Sequence, residues 1–202
     1  MNKLNHPIVE QSFAIIDREV GAHSLNPQEY AIARRVIHAT ADFEYLKLLQ
    51  FSPRAIQTGI ESLRQGTPII TDVNMVKQGI ASLVSKTFNN PMISAIEQAK
   101  VAEPGKTRTE TGMLRCWSEY PQGIYLIGNA PTALLALCEQ FATASVQPAL
   151  VIGVPVGFVS VVESKQALLK SDVPYIAIAG RKGGSPAAAS ILNALLILAS
   201  ER

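Results

Sequence analysis

The chemistry open to this chain starts with its histidines, of which there are three: His6, His23 and His38. None stands three or four residues from another histidine or a cysteine, the spacing that lets one helix face grip a metal, so no zinc site is expected. His6 and His23 fall in loop-like stretches. His38 falls inside a helical pattern, with Arg34 four residues before it and Asp42 four after, one turn away on either side. The cation and the carboxylate act on the imidazolium in opposite senses, which suits a group that must both give and take a proton. The same spacing also fits a helix histidine that is merely hydrogen-bonded to a carboxylate. The residues alone leave both readings open.

Other chemistries find less support. No serine stands in a Gly-x-Ser-x-Gly elbow, which removes hydrolases of that type. Asp42 and Glu44, like Asp17 and Glu19, are two apart on expected helices and so face away from each other, not into one acid–base pair. Cys116 and Cys138 have no Cys-x-x-Cys spacing and read as free thiols. Neither Gly-x-x-x-x-Gly-Lys-Ser/Thr nor the dinucleotide glycine spacing occurs, which argues against an ATPase or a nicotinamide enzyme. Gly180-Arg181-Lys182-Gly183-Gly184-Ser185 does bring two cations beside a glycine turn and a helix start, a place where backbone N–H groups attract anions. An anionic small molecule fits that loop.

These groups must be positioned by something, and the hydrophobic pattern says what. The first part reads helical: 8–20, then a start at Asn26 with Pro27 and Glu29 that runs helical to about Gln50, then 54–65. Pro68-Ile69-Ile70-Thr71-Asp72 suits a short buried strand, with a helix over 74–84 and a weaker one over 107–120. The stretch 93–101 fits a helix or a strand and turn equally. Strands at 124–127, 149–152 and 175–178 are each followed by a glycine-bearing loop and a helix. That alternation means an α/β fold, a parallel sheet covered on both faces, with extra helices at the N-terminus. Ligands of such sheets bind beyond the carboxyl ends of the strands, so the loops 71–74, 128–131, 153–157 and 180–185 are where a site is expected.

Composition bounds the rest. Apolar residues make up 48% of the 202 and charged ones 17%, enough apolar side chain for one sizeable core and few enough charges that another subunit could cover part of the surface. A net charge of +2 gives no bulk field toward nucleic acid or membrane. The first seven residues hold no apolar signal region, and the apolar windows near 149–162 and 187–199 are too short or too broken to span a bilayer. A single cytoplasmic domain over 1–202 is expected.

Five segments taken together carry a resemblance. They are His6-Pro7-Ile8-Val9-Glu10-Gln11-Ser12-Phe13, Arg35-Val36-Ile37-His38-Ala39-Thr40, Gly128-Asn129-Ala130-Pro131-Thr132-Ala133-Leu134, Gly153-Val154-Pro155-Val156-Gly157-Phe158-Val159 and the 180–185 loop. In this order they resemble the precorrin-8X methylmutase family of cobalamin biosynthesis, from about residue 6 to about residue 198. The resemblance implies a flavodoxin-like three-layer α/β/α fold and a homodimer with its active site at the subunit interface. It implies an isomerase that moves a methyl group from C-11 to C-12 of precorrin-8X, or of cobalt-precorrin-8, giving hydrogenobyrinic or cobyrinic acid without a cofactor. His38 matches the family's catalytic histidine, a proton donor and acceptor, and Ser12 its substrate-binding serine. For Thr71, Arg108, Asn129, Ala130, Arg181 and Lys182, loop position and polarity suggest contacts to the substrate's carboxylates, with turn or helix capping as the other reading of each.

Two further functions use the same loops. A corrinoid carrier would bind the tetrapyrrole without needing His38. A flavodoxin-like domain would hold FMN, but no Ser/Thr/Gly-rich phosphate loop follows the first strand.

Overall fold

The computed structural model describes Leu4 and residues 6–201; Met1, Asn2, Lys3, Asn5 and Arg202, which the expected 1–202 span includes, lie outside the described residues. Helix α1 (Pro7–Val20) begins on His6, whose Nδ1 accepts the Ile8 N–H at 3.2 Å. Helix α2 (Pro27–Thr40) starts at the expected cap: the Asn26 side chain accepts from the Gln28 and Glu29 N–H groups, and Glu29 reaches back to the Asn26 N–H, each at 3.0 Å. Both helices have proline at the first position, where its missing N–H is no loss.

The helix expected to run on to Gln50 stops at Thr40. Ala41 takes the left-handed conformation, with φ 55°, and a turn leads to a single helical turn α3 (Tyr45–Leu48) and strand β1 (Leu49–Phe51). Leu46 and Leu49 keep helical spacing with what precedes them, so the pattern carries past a break that no glycine or proline marks. After α4 (Ala55–Arg64) come β2 (Ile69–Thr71), α5 (Asn74–Lys86), β3 (Met92–Ser94) and a 3₁₀ turn (Ala95–Glu97), which resolves the ambiguous 93–101 stretch as strand and turn. The remainder alternates as expected: α6 (Arg108–Glu119), β4 (Ile124–Ile127), α7 (Pro131–Phe141), β5 (Leu150–Gly153), α8 (Val161–Leu169), β6 (Tyr175–Ile178) and α9 (Ser185–Ser200).

The sheet order is β1-β6-β5-β4-β2-β3. Its last five strands are parallel and, numbered among themselves, run 2-1-3-4-5, the flavodoxin-like doubly wound order. The expected parallel sheet is thus present, with one added edge strand, β1, that pairs antiparallel with β6. Alternate strand residues face opposite layers. Ile69, Ile124, Leu126, Ile152 and Ile176 meet α2, α4, α5 and α9, while Ile70, Tyr125, Ile127, Val151 and Ala177 meet α6, α7 and α8. Burial on both faces explains why these strands read as continuous apolar runs.

Candidate active site

His38 lies exposed in the last turn of α2. Its imidazole stands edge-on to Phe13 of α1, with ring centroids 5.5 Å apart and planes at 79°. Phe13 is itself buried beneath the Arg34 and Arg35 guanidinium groups, 4.3 and 5.4 Å from its ring. The adjacent Ser12 is half-buried and donates its hydroxyl to the Ile8 carbonyl at 2.9 Å. Ser12 and His38 thus flank one aromatic contact between two helices. The two groups expected to act on His38 are engaged elsewhere: Arg34 pairs with Asp17 at 2.9 Å, and Asp42 pairs with Lys182 at 2.6 Å.

The Asp42 pairing joins the end of α2 to the loop between β6 and α9. Because α2 ends at Thr40, Asp42 and Glu44 sit in a turn, not on a helix, and their carboxylates converge on the same ammonium, with Glu44 at 2.9 Å from Lys182. That corrects the expectation that they face apart. The Lys182 hydrogen bond holds the Asp42 carboxyl below its ordinary range, and the Asp42 and Glu44 bonds raise the Lys182 ammonium in turn. Next to it, exposed Arg181 lies 5.5 Å from the ring centroid of Phe158, a side chain 81% exposed on the loop after β5. Gly183 makes this loop possible: its φ is +151°, and a Cβ there would lie 2.2 Å from the Val154 carbonyl oxygen.

The other expected residues gather where the sheet order reverses, between β2 and β4. Asp72 is fully buried there. Its carboxylate accepts the N–H groups of Asn129 at 2.6 Å, Ala130 at 2.8 Å and Val73 at 2.9 Å. Burial pushes this carboxyl up while those N–H groups pull it down. Asn129 remains exposed by its side chain and Ala130 is buried, whereas Thr71 is wholly closed to solvent, its hydroxyl 3.4 Å from the Ile93 carbonyl. Arg108 is exposed at the first turn of α6, beside the Thr107–Thr132 hydroxyl contact of 3.0 Å that ties α6 to α7.

The structure thus groups His38 and Ser12 on one pair of helices, joins the end of α2 to Lys182 and Arg181, and leaves Arg108 and Asn129 exposed at the ends of β4 and α6. Thr71 and Ala130 are brought in as parts of the wall. Sequence reasoning missed Phe13 as the rest for His38, Phe158 and Val159 as an exposed apolar tip, and Tyr45, whose hydroxyl donates to the Gly183 carbonyl at 3.3 Å. Two large apolar residues directly after Gly157, in a loop where no strand or helix would bury them, were the signal for the tip; nothing local signals Tyr45. Burial raises the Cys116 thiol to about 11 and the Cys138 thiol to about 12, so neither is an activated nucleophile. Among the described residues no group of three or more His, Cys, Asp or Glu is placed to hold a metal ion, and no helix is long and apolar enough to cross a membrane.

An exposed imidazole, exposed cations and an apolar tip at one end of a doubly wound sheet can bind a large anion and exchange a proton with it. Comparison with known proteins gives the family. A cobalt-precorrin-8 methylmutase of Synechocystis sp. is 59% identical over 98% of both chains, and a precorrin-8X methylmutase of a Sinorhizobium species is 37% identical over 93% of this chain and 92% of its own. The crystal structure of precorrin-8X methylmutase from Thermus thermophilus superposes with a TM-score of 0.88 at 40% identity, covering 97% of this chain and 98% of that one. The sequence model of precorrin-8X methylmutases matches residues 7–198, and with these relatives it establishes that the chain belongs to that family of isomerases.

Proposed function

We propose that the chain moves the C-11 methyl group of precorrin-8X, or of its cobalt form, to C-12, with His38 lending a proton to the macrocycle and taking it back. The observation that carries this reading is His38 itself, exposed in the last turn of α2 just before the turn that holds the Asp42–Lys182 pair, and braced by Phe13. A proton placed on the conjugated ring draws electron density from the bond to the migrating methyl group and lowers the barrier to its shift. Substrate and product are isomers, so the proton returns and no electrons leave. Positioned proton transfer of this kind is worth roughly 10²–10⁴-fold. The remainder falls to holding the ring in one reactive orientation.

Support for the substrate class comes from the mixture of surfaces. The ring is flat and apolar with carboxylates around its rim, and Phe158 and Val159 stand exposed beside Arg181, with Lys182, Arg108, Asn129 and Ser12 as further polar groups. The 59% identity to a cobalt-precorrin-8 methylmutase favours the cobalt-bearing substrate. We read the whole span 1–202 as one cytoplasmic catalytic domain working as a homodimer. The exposed Ile8 and Ile15 on the outer side of α1, flanking Ser12, offer an apolar surface for a second copy.

The test compares wild type and His38→Ala, each mixed with precorrin-8X and with cobalt-precorrin-8, following the absorbance change to the corrin. Turnover by wild type and a kcat lower by roughly 10²–10⁴-fold in the variant, with binding retained, is the expected result. Binding without conversion by either protein sinks the reaction and leaves a carrier. Sedimentation of the wild type as a monomer at assay concentration removes the dimer.

A further inference from the structure

We propose that Lys165 is a positioning residue of this site, whose buried ammonium sets the 180–184 loop so that Arg181 faces the substrate and Lys182 reaches the end of the helix bearing His38. The proposal rests on the function argued above. Helix α8 buries Val161, Ser164, Lys165 and Leu168, a stripe at helical spacing in which a lysine is the odd member. Lys165 is 2% exposed. A lysine so deep ordinarily pairs with a carboxylate. Here the Nζ donates to two carbonyl oxygens instead, those of Gly180 at 2.9 Å and Lys182 at 2.6 Å. A leucine would fill the same stripe without desolvating a charge, so packing gives no account of the ammonium.

The loop gives one. Its four carbonyls in succession are all taken from the protein side. Gly180 and Lys182 go to Lys165, Arg181 accepts the Gly157 N–H at 3.3 Å, and Gly183 accepts the Tyr45 hydroxyl at 3.3 Å. The Gly184 N–H closes the loop on the Val154 carbonyl at 2.9 Å. With carbonyls 180 and 182 drawn inward onto one ammonium, the side chain of residue 181 between them is left outside, where Arg181 is found exposed against Phe158. Lys182 continues to Asp42 and Glu44, in the turn that follows α2. The ammonium therefore connects α8, the cationic loop and the His38 helix, and it does so without touching substrate. Burial lowers it to about 8, and its two hydrogen-bond partners among the described residues are neutral carbonyl dipoles.

Two variants of the full chain test this, Lys165→Met, which keeps the volume and removes every donor, and Lys165→Gln, which keeps two donors on a shorter arm. Hydrogen exchange of the peptides covering 179–185 and 41–45 is measured first, then kcat and KM with cobalt-precorrin-8. Lys165→Met is expected to speed exchange in those two segments by about tenfold or more while the sheet is unchanged, the signature of local opening. Its KM rises by about tenfold with a smaller change in kcat, the pattern of lost substrate positioning, and Lys165→Gln falls between. Should Lys165→Met not fold, Lys165→Gln against wild type carries the same comparison. Unchanged local exchange and unchanged KM overturn the proposal. So does faster exchange spread evenly over the sheet with KM unchanged, which marks an ordinary core residue. Faster exchange confined to the two segments in a wild-type background that converts neither tetrapyrrole upholds the anchor and sinks the reaction instead.

Discussion

Arg181 and Lys182 are neighbours with the same charge, yet they are committed differently. The Lys182 ammonium is held between two carboxylates of its own chain, 2.6 and 2.9 Å away. Arg181 makes no ion pair among the described residues and lies against an aromatic face, an arrangement that leaves its fork of N–H donors open. An arriving carboxylate therefore meets Arg181 as a full charge and Lys182 as a charge already shared. Removing a charge-assisted hydrogen bond costs about 1.5–3 kcal/mol. Arg181→Ala is thus expected to raise KM by roughly 10–100-fold. Lys182→Ala should raise KM less and lower kcat more, because it releases the turn beyond His38. Steady-state kinetics of the two variants decides this, and a larger KM effect from Lys182→Ala refutes the assignment of Arg181 as the main anion contact.

At the scale of elements, the site depends on joints that the sequence showed unevenly. The three strand–loop–helix units of the second half were legible because each buried apolar strand runs into a glycine-bearing loop that leads to a helix. The cap of α2 at Asn26 was legible because its three residue types follow a rule. The end of α2 was not, since Ala41 adopts a left-handed turn with no glycine to announce it, and β1 is three residues long, too short for alternation to register. Asp72 shows the same limit from another side. Next to a strand it reads as a polar terminus, and only the fold brings it under the Asn129 and Ala130 N–H groups. It is the pin between β2 and the start of α7. Asp72→Asn replaces one acceptor oxygen with an N–H₂ group facing other donors. Losing charged hydrogen bonds in a buried place costs about 3 kcal/mol, or roughly 6–12 °C in Tm for a chain of this size. Thr71→Val, one residue away with a single long hydroxyl contact, is expected to leave Tm nearly unchanged. Thermal melts of both variants check the contrast, and equal losses would mean that the switch point is held by packing, not by the carboxylate.

For the whole molecule, the buried Lys165 leaves a signature in stability that does not depend on turnover. Its ammonium titrates near 8 in the folded chain against 10.5 for an ordinary lysine. Between those values the unfolded chain holds a proton that the folded chain has lost, so this group makes stability rise with pH across that window. Cys116, raised to about 11, and Cys138 and Tyr30, each raised to about 12, act the other way. They keep their protons longer when folded, and the stability they add at lower pH is lost as pH climbs past 9 for the thiols and past 10 for the phenol. The wild-type curve mixes both trends, and the comparison with Lys165→Met separates them. The difference in unfolding free energy, wild type minus variant, should be flat below about pH 8. It should then climb toward about pH 10.5, by up to about 3 kcal/mol from the size of the shift. Below pH 8 the variant, freed of a buried charge, is expected to be at least as stable as wild type. Urea titrations at fixed protein concentration across pH 7–10 measure this. A difference that stays constant with pH would mean that the ammonium is hydrated in the folded chain, and the loop would then lack its dry anchor.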